Sequence, residues 1–146
     1  MKLRILLLAL TLSLFIPVYT IASPNGGGFE EAFPSANGDR ARYNVQMDFK
    51  KAYISGICIM LMEDDIIKAS VVNEFGVSAL DVTYNPAKQK VKILKVMGNM
   101  NKWYIKKVLK KDLKQVMTNL PLGNNTYEDT KYSIKYTFDP LDETKE

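Results

Sequence analysis

From Arg42 onward polar and apolar residues alternate, with Tyr43, Val45, Met47 and Phe49 on one side and Arg42, Asn44, Gln46 and Asp48 on the other. A period of two predicts a strand with one buried face. Tyr53 to Glu63 is apolar at both parities, Asp64-Asp65 supplies turn residues, and Ile66 to Phe75 returns through Ile67, Ala69 and Val71. That order predicts a hairpin of two central strands. Gly76, after Asn73-Glu74-Phe75, breaks the run where a tight turn or bulge is needed. Val77 to Tyr84 then predicts another strand, and Asn85-Pro86-Ala87-Lys88 turns the chain into Val91, Ile93 and Val96. No connection is long enough for a crossover helix, so the strands form an antiparallel meander.

The period changes near residue 101. Gly98-Asn99-Met100-Asn101 offers asparagine caps, and Ile105, Val108, Leu109, Leu113, Val116, Met117 and Leu120 fall within one half of a helical wheel. Lys106, Lys107, Lys110, Lys111 and Lys114 are expected on the other half. Pro121-Leu122-Gly123 stops the helix, which is expected over residues 101–120. A polar loop follows, then Tyr132, Ile134, Tyr136 and Phe138 alternate with polar neighbours in a last strand. About six strands and one helix make an α+β, mainly β chain. A curved antiparallel sheet, an incomplete barrel wrapped around the one long amphipathic helix, buries the helix stripe best; flat two-layer packing is the alternative that period alone leaves open.

The ends read differently. Met1 to Ala22 carries Lys2 and Arg4, an apolar run from Ile5 to Ile16, Pro17 and the small-residue end Thr20-Ile21-Ala22. These are the three regions of a signal peptide. The twelve apolar residues would rise about 18 Å as a helix, short of a bilayer's hydrocarbon core of roughly 30 Å. Cleavage after Ala22 is the expectation, an uncleaved anchor the alternative. Residues 23–41 hold four Gly and two Pro without apolar period and are expected to be a flexible lead. The domain is expected over residues 42–138, and residues 139–146 form an acidic tail.

The chain has no histidine and one cysteine in 146 residues. Serine-histidine and cysteine-histidine catalysis, His-based metal or haem sites, multi-cysteine clusters and intramolecular disulfides are thereby excluded. No phosphate-cradling glycine loop or dinucleotide fingerprint occurs. Carboxylate, lysine or tyrosine chemistry remains, and no pair of these is recognisably spaced, so no enzyme activity and no cofactor or metal are expected. Cys58 lies in the apolar run Ile57 to Leu61 and reads as a core thiol. Glu63-Asp64-Asp65 has too few oxygens for a calcium loop and reads as a solvated turn. Asp112 borders the apolar stripe, at four residues from Val108 and from Val116, and is expected to bond a tyrosine or a backbone amide.

Charge is unevenly spread. Between Lys88 and Lys114 stand ten lysines and one acid, Asp112, for a local charge of +9, while the chain without residues 1–22 carries only +2. Lys106, Lys107, Lys110, Lys111 and Lys114 are accordingly candidates for contact with an anionic membrane surface, each contributing about 1 kcal/mol before screening; a merely solvated helix face is the competing reading. Nucleic acid is not expected, since no basic strand interleaved with aromatics is present and the leader exports the chain. Met60, Met62, Met97, Trp103 and Tyr104, with Met100 beside them, are candidates to line an apolar cavity for acyl chains, because methionine adapts to irregular apolar ligands. Ordinary core packing is the competing reading.

Tyr53-Ile54-Ser55-Gly56, the stretch from Lys68 to Gly76, and Asn101-Lys102-Trp103-Tyr104-Ile105-Lys106-Lys107 together resemble small exported or lipid-anchored proteins of Bacteroidetes-type bacteria. The layout of a strand ending in Ser-Gly, a return strand, a glycine turn, a strand pair and a helix is similar to the lipoprotein-localisation proteins LolA and LolB. That resemblance, over residues 42–120, implies an incomplete barrel with an apolar cavity that receives lipoprotein acyl chains. It departs from LolB in lacking a lipobox cysteine. The expectation is a non-enzymatic, exported protein of the periplasm or the periplasmic side of the outer membrane that binds lipid or lipoprotein acyl groups. A structural envelope component docking an acidic protein through its lysine-rich helix is the alternative.

Overall fold

A computed structural model describes residues 33–141. The expected signal peptide, most of the expected lead and the end of the acidic tail lie outside the described residues. Seven strands form one sheet: β1 (Arg40–Phe49), β2 (Ala52–Glu63), β3 (Ile66–Val72), β4 (Ser78–Asn85), β5 (Lys90–Val96), β6 (Thr126–Asp129) and β7 (Ile134–Pro140). One helix, α1 (Trp103–Asn119), lies between β5 and β6 in the chain. The strand order is β5-β4-β3-β2-β1-β7-β6, every pairing is antiparallel, and the sheet curls into a half-barrel. The two edge strands, β5 and β6, both contact α1.

Alternation holds through the sheet. Ala41, Tyr43, Val45 and Met47 of β1 are buried, joined by Ile54, Cys58, Met60 and Met62 of β2 and by Ile134, Tyr136 and Phe138 of β7. These form one core with Leu109, Leu113, Val116 and Met117 of α1. As expected, β2 and β3 each have a strand on both sides. Asp64 and Asp65, with φ of 51° and 62°, make the two-residue turn with both φ positive that suits the right-handed twist of a hairpin. Asn73 Oδ1 accepts the amides of Phe75 and Val77 at 3.0 Å each, and Gly76 supplies a φ of 75°.

Two irregularities bend the sheet. The β3–β4 register shifts between Val71 and Val72, and the β4–β5 register shifts opposite Leu94, so Val91 and Ile93 face inward, Leu94 is extra, and Val96 returns inward. Bulges of this kind bend a strand and raise its twist. Near the first shift Gly56 is required, because a Cβ there would collide with the Val72 carbonyl oxygen.

Several expectations need correction. Ser55-Gly56 lies within β2, which runs on to Glu63, and does not end a strand. β1 starts two residues early, at Arg40, behind a turn in which Asp39 accepts the amides of Ser35 and Ala36; those backbone donors hold its carboxyl below the ordinary value. Ahead of that turn Phe33 packs on the core. The expected polar loop after α1 contains a short strand, β6, whose four residues were too few for a period to register. Tyr132 precedes β7, and β7 continues through Asp139 and Pro140 into the expected tail. Gly98–Met100 forms a 3-10 turn, and α1 begins only at Trp103, after Lys102, with no side chain capping it. Its end is as expected, with Gly123 left-handed at φ 84°.

Candidate functional site

The first half of α1 is only partly buried, with Ile105 and Val108 packed against the edge of the core. Between it and two turns lies a cleft of about 870 Å³. The β1–β2 turn contributes Phe49, Lys51 and Ala52, and the segment between β6 and β7 contributes Lys131 and Tyr132, with Ile134 from the start of β7. Asn99 and Met100, from the turn before α1, line it too. The helix wall carries Trp103, Tyr104, Ile105, Lys107, Val108, Leu109 and Lys111. Val108 follows Tyr104 by four residues and Lys111 follows Val108 by three, the spacing that puts them on one face.

The lining is mostly apolar and aromatic. Trp103, the chain's single tryptophan, is 75 % exposed and packs edge-to-face on Tyr104 at 5.8 Å. Four lysines, Lys51, Lys107, Lys111 and Lys131, rim the cleft, and no carboxylate lines it. The Lys131 ammonium stands 5.3 Å over the Tyr132 ring. Exposed aromatics beside ammonium groups offer an apolar floor and a cationic edge.

The residues expected to form an apolar cavity separate. Trp103 and Tyr104 line the cleft. Met60 and Met62 are buried in the core and Met97 is exposed away from the cleft, whereas Met100, expected with them, does line it. The lysines divide as well. Lys107, Lys110, Lys111 and Lys114 surround a second hollow of about 350 Å³ with Gln89, Lys90 and Val91 at the start of β5. Lys107 and Lys111 thus form a ridge shared by both. Lys106 is half-buried and belongs to neither, contrary to the expected helix face. It lies three residues before Leu109 and seven before Leu113, which places it on the buried stripe.

Behind Lys111 is a buried acid cluster. Tyr136 donates its hydroxyl to Asp112 Oδ2 at 2.8 Å, the bond expected for a carboxylate at the stripe's edge. Asp129 of β6 is buried beside it and was not foreseen; its only sequence signal is that it alternates with Tyr127. Asp112 Oδ1 and Asp129 Oδ2 have no hydrogen-bond partner. Lys111 Nζ lies 3.9 Å from Asp129 Oδ2. Burial pushes the Asp112 carboxyl up to about 6; the Tyr136 bond opposes that rise, and hydrogen bonding with Asp129 and its charge add to it. Asp129 is raised by burial but held below its ordinary value overall by bonding with Asp112, the Tyr132 amide and Lys111. An interaction between the two carboxyls that raises one and lowers the other is that of a protonated Asp112 beside an ionised Asp129. Burial, then the bond to Asp112, drives the Tyr136 phenol upward, and burial followed by the two carboxylates does the same to Tyr127.

Other candidates hold little chemistry. Burial pushes the Cys58 thiol up to about 12, as befits a core thiol. At the β2–β3 turn Glu63 pairs with Lys68 at 2.7 Å, and Asp65 bonds the Asn37 side chain. Among the described residues no group of three or more acids or cysteines is placed to hold a metal, and no helix is long and apolar enough to cross a membrane. Comparison with known proteins finds no family model that matches the chain, and no curated protein or solved structure similar to it.

Proposed function

We propose that this chain is a non-enzymatic, exported envelope protein that binds acyl groups of lipids or lipoproteins, its half-barrel folded around α1. One observation carries the reading: the 870 Å³ cleft is floored by apolar and aromatic side chains that stay open to water and is rimmed by lysines. Its volume lies within the roughly 300–1,000 Å³ of small-molecule sites. The acyl site of this reading sits at the rim between α1 and two turns. The space expected under the helix is filled instead, Leu109, Leu113 and Met117 being almost fully buried with Met47 and Met60. The lysine ridge would hold the protein at anionic headgroups.

Native mass spectrometry and solvent extraction of the purified protein test the reading, together with the emission of Trp103 during titration with acyl ligands. Co-purifying lipid, or a blue shift of Trp103 on addition, is the expected result. A mass equal to the bare chain and an unmoved spectrum would defeat it.

The second hollow favours one other reading. Lys90, Lys107, Lys110, Lys111 and Lys114 surround it with no acid among them, which suits an acidic protein partner. Such a complex would dissociate as salt rises, while buried acyl binding would change little.

A further inference from the structure

We infer that the ligand of the cleft is a single-chain carboxylate amphiphile, a long-chain fatty acid, with its tail over Phe49, Ile105 and Val108 and its head among Lys51, Lys107 and Lys131. The inference rests on the acyl-binding reading and adds the class of ligand. Three features of the cleft support it.

The first is size. A cleft of about 870 Å³ falls in the size range of sites that take one small ligand. One acyl chain with a compact head is a ligand of that size.

The second is the pattern of donors and acceptors. Apart from Asn99 and the two tyrosine hydroxyls, the polar side chains lining the cleft are lysines, which only donate. An amine or choline head would meet four ammonium groups and no anion in this lining. An ionised carboxylate is acceptor-only and matches it.

The third is where the charges stand. Lys107 projects from the helix, Lys51 from the β1–β2 turn and Lys131 from the segment before β7, so three separate elements bring ammonium groups to one rim. Lys111 also lines it but lies near Asp129, which offsets part of its charge. Three like charges brought together with no carboxylate in the lining repel one another until an anion arrives.

The test is titration of the purified protein with palmitate and with hexadecanol, below their aggregation limits, followed by Trp103 emission and native mass spectrometry. Palmitate is expected to bind about tenfold more tightly than hexadecanol, since three exposed charge contacts each add a fraction of a kilocalorie. The variant Lys51→Gln/Lys107→Gln/Lys131→Gln, at three exposed positions and checked for an unchanged melting curve, is expected to lose that preference. Equal binding of the two ligands would overturn the carboxylate assignment and leave acyl binding standing. Binding of neither would overturn both. A palmitate preference that survives the triple substitution would also overturn the inference.

Discussion

From Leu113 onward α1 buries its whole apolar stripe, with Leu113, Val116, Met117 and the capping Leu120 at most 6 % exposed. From Trp103 to Val108 no residue of the same helix is buried. The residue pattern is continuous across both halves, so helix amphipathicity is not what separates them. The difference lies in what stands opposite. The stripe of the second half is fully buried against the inward side chains of the sheet, whereas the first half packs only Ile105 and Val108 partly on the core and also faces the β1–β2 turn and the segment before β7, and these leave a cleft. One half of the helix therefore holds the fold together, and the other borders an open cleft.

The largest expected effect breaks or upholds that division directly. Leu113→Ala should lower the unfolding free energy by about 3 kcal/mol, because a fully buried leucine leaves a cavity that the surrounding structure fills only in part. Val108→Ala, on the same stripe but at the cleft, should lower it by less than about 1 kcal/mol. Urea unfolding of the two variants measures both. Similar losses at the two positions would mean that the halves of the helix are equally structural.

Those two residues also show how far the sequence could be read. Val108 and Leu113 both belong to the apolar half of the wheel, a pattern that places a helix and its stripe but says nothing of the elements across from it. Strand positions, the β2–β3 turn and the Asp112 to tyrosine bond were legible because each follows from local period or from the cost of burying a carboxylate. The cleft was legible only through Trp103, Tyr104 and Met100; Lys107 and Lys111 were expected on an anionic surface, and Lys51, Lys131 and Tyr132 reach it through the closing of the sheet. Asp129 escaped because β6 is four residues long. Lys106 was misplaced because its apolar neighbours at three and seven residues outweigh its own charge.

Between the two halves sits Asp112, and its effect should depend on pH. The folded carboxyl has its pKa raised to about 6, against about 3.9 in the unfolded chain. Below about pH 4 both states hold the proton and the stability that goes with the protonated carboxyl is fully present. Between about pH 4 and 6 the folded state holds the proton more tightly, so stability falls as pH rises through that window and stays at the lower level above it. Asp112→Ala removes the acceptor of the Tyr136 hydroxyl and should cost about 2 kcal/mol near pH 5, and less near pH 8. Asp112→Asn, which keeps an acceptor for Tyr136 and gains a permanent donor toward Asp129, should flatten the change in melting temperature across the same interval. A wild-type profile parallel to that of Asp112→Asn would show that the two carboxyls share no proton.

The smallest effect on stability is expected at the other end of the helix. Trp103 is the largest side chain in the cleft and among the most exposed in the protein, so Trp103→Ala should change the unfolding free energy by no more than about 0.5 kcal/mol. Its ring nonetheless offers more apolar area to a bound acyl chain than any other lining residue, and truncating it should weaken palmitate binding severalfold. Trp103→Phe should recover most of the affinity, because the stacking surface and not the indole N–H is what the tail would use. Since this substitution removes the fluorophore, native mass spectrometry replaces emission as the measure. A variant that melts several degrees lower, with palmitate affinity intact, would place Trp103 among the structural residues and erase the contrast between the two halves of α1.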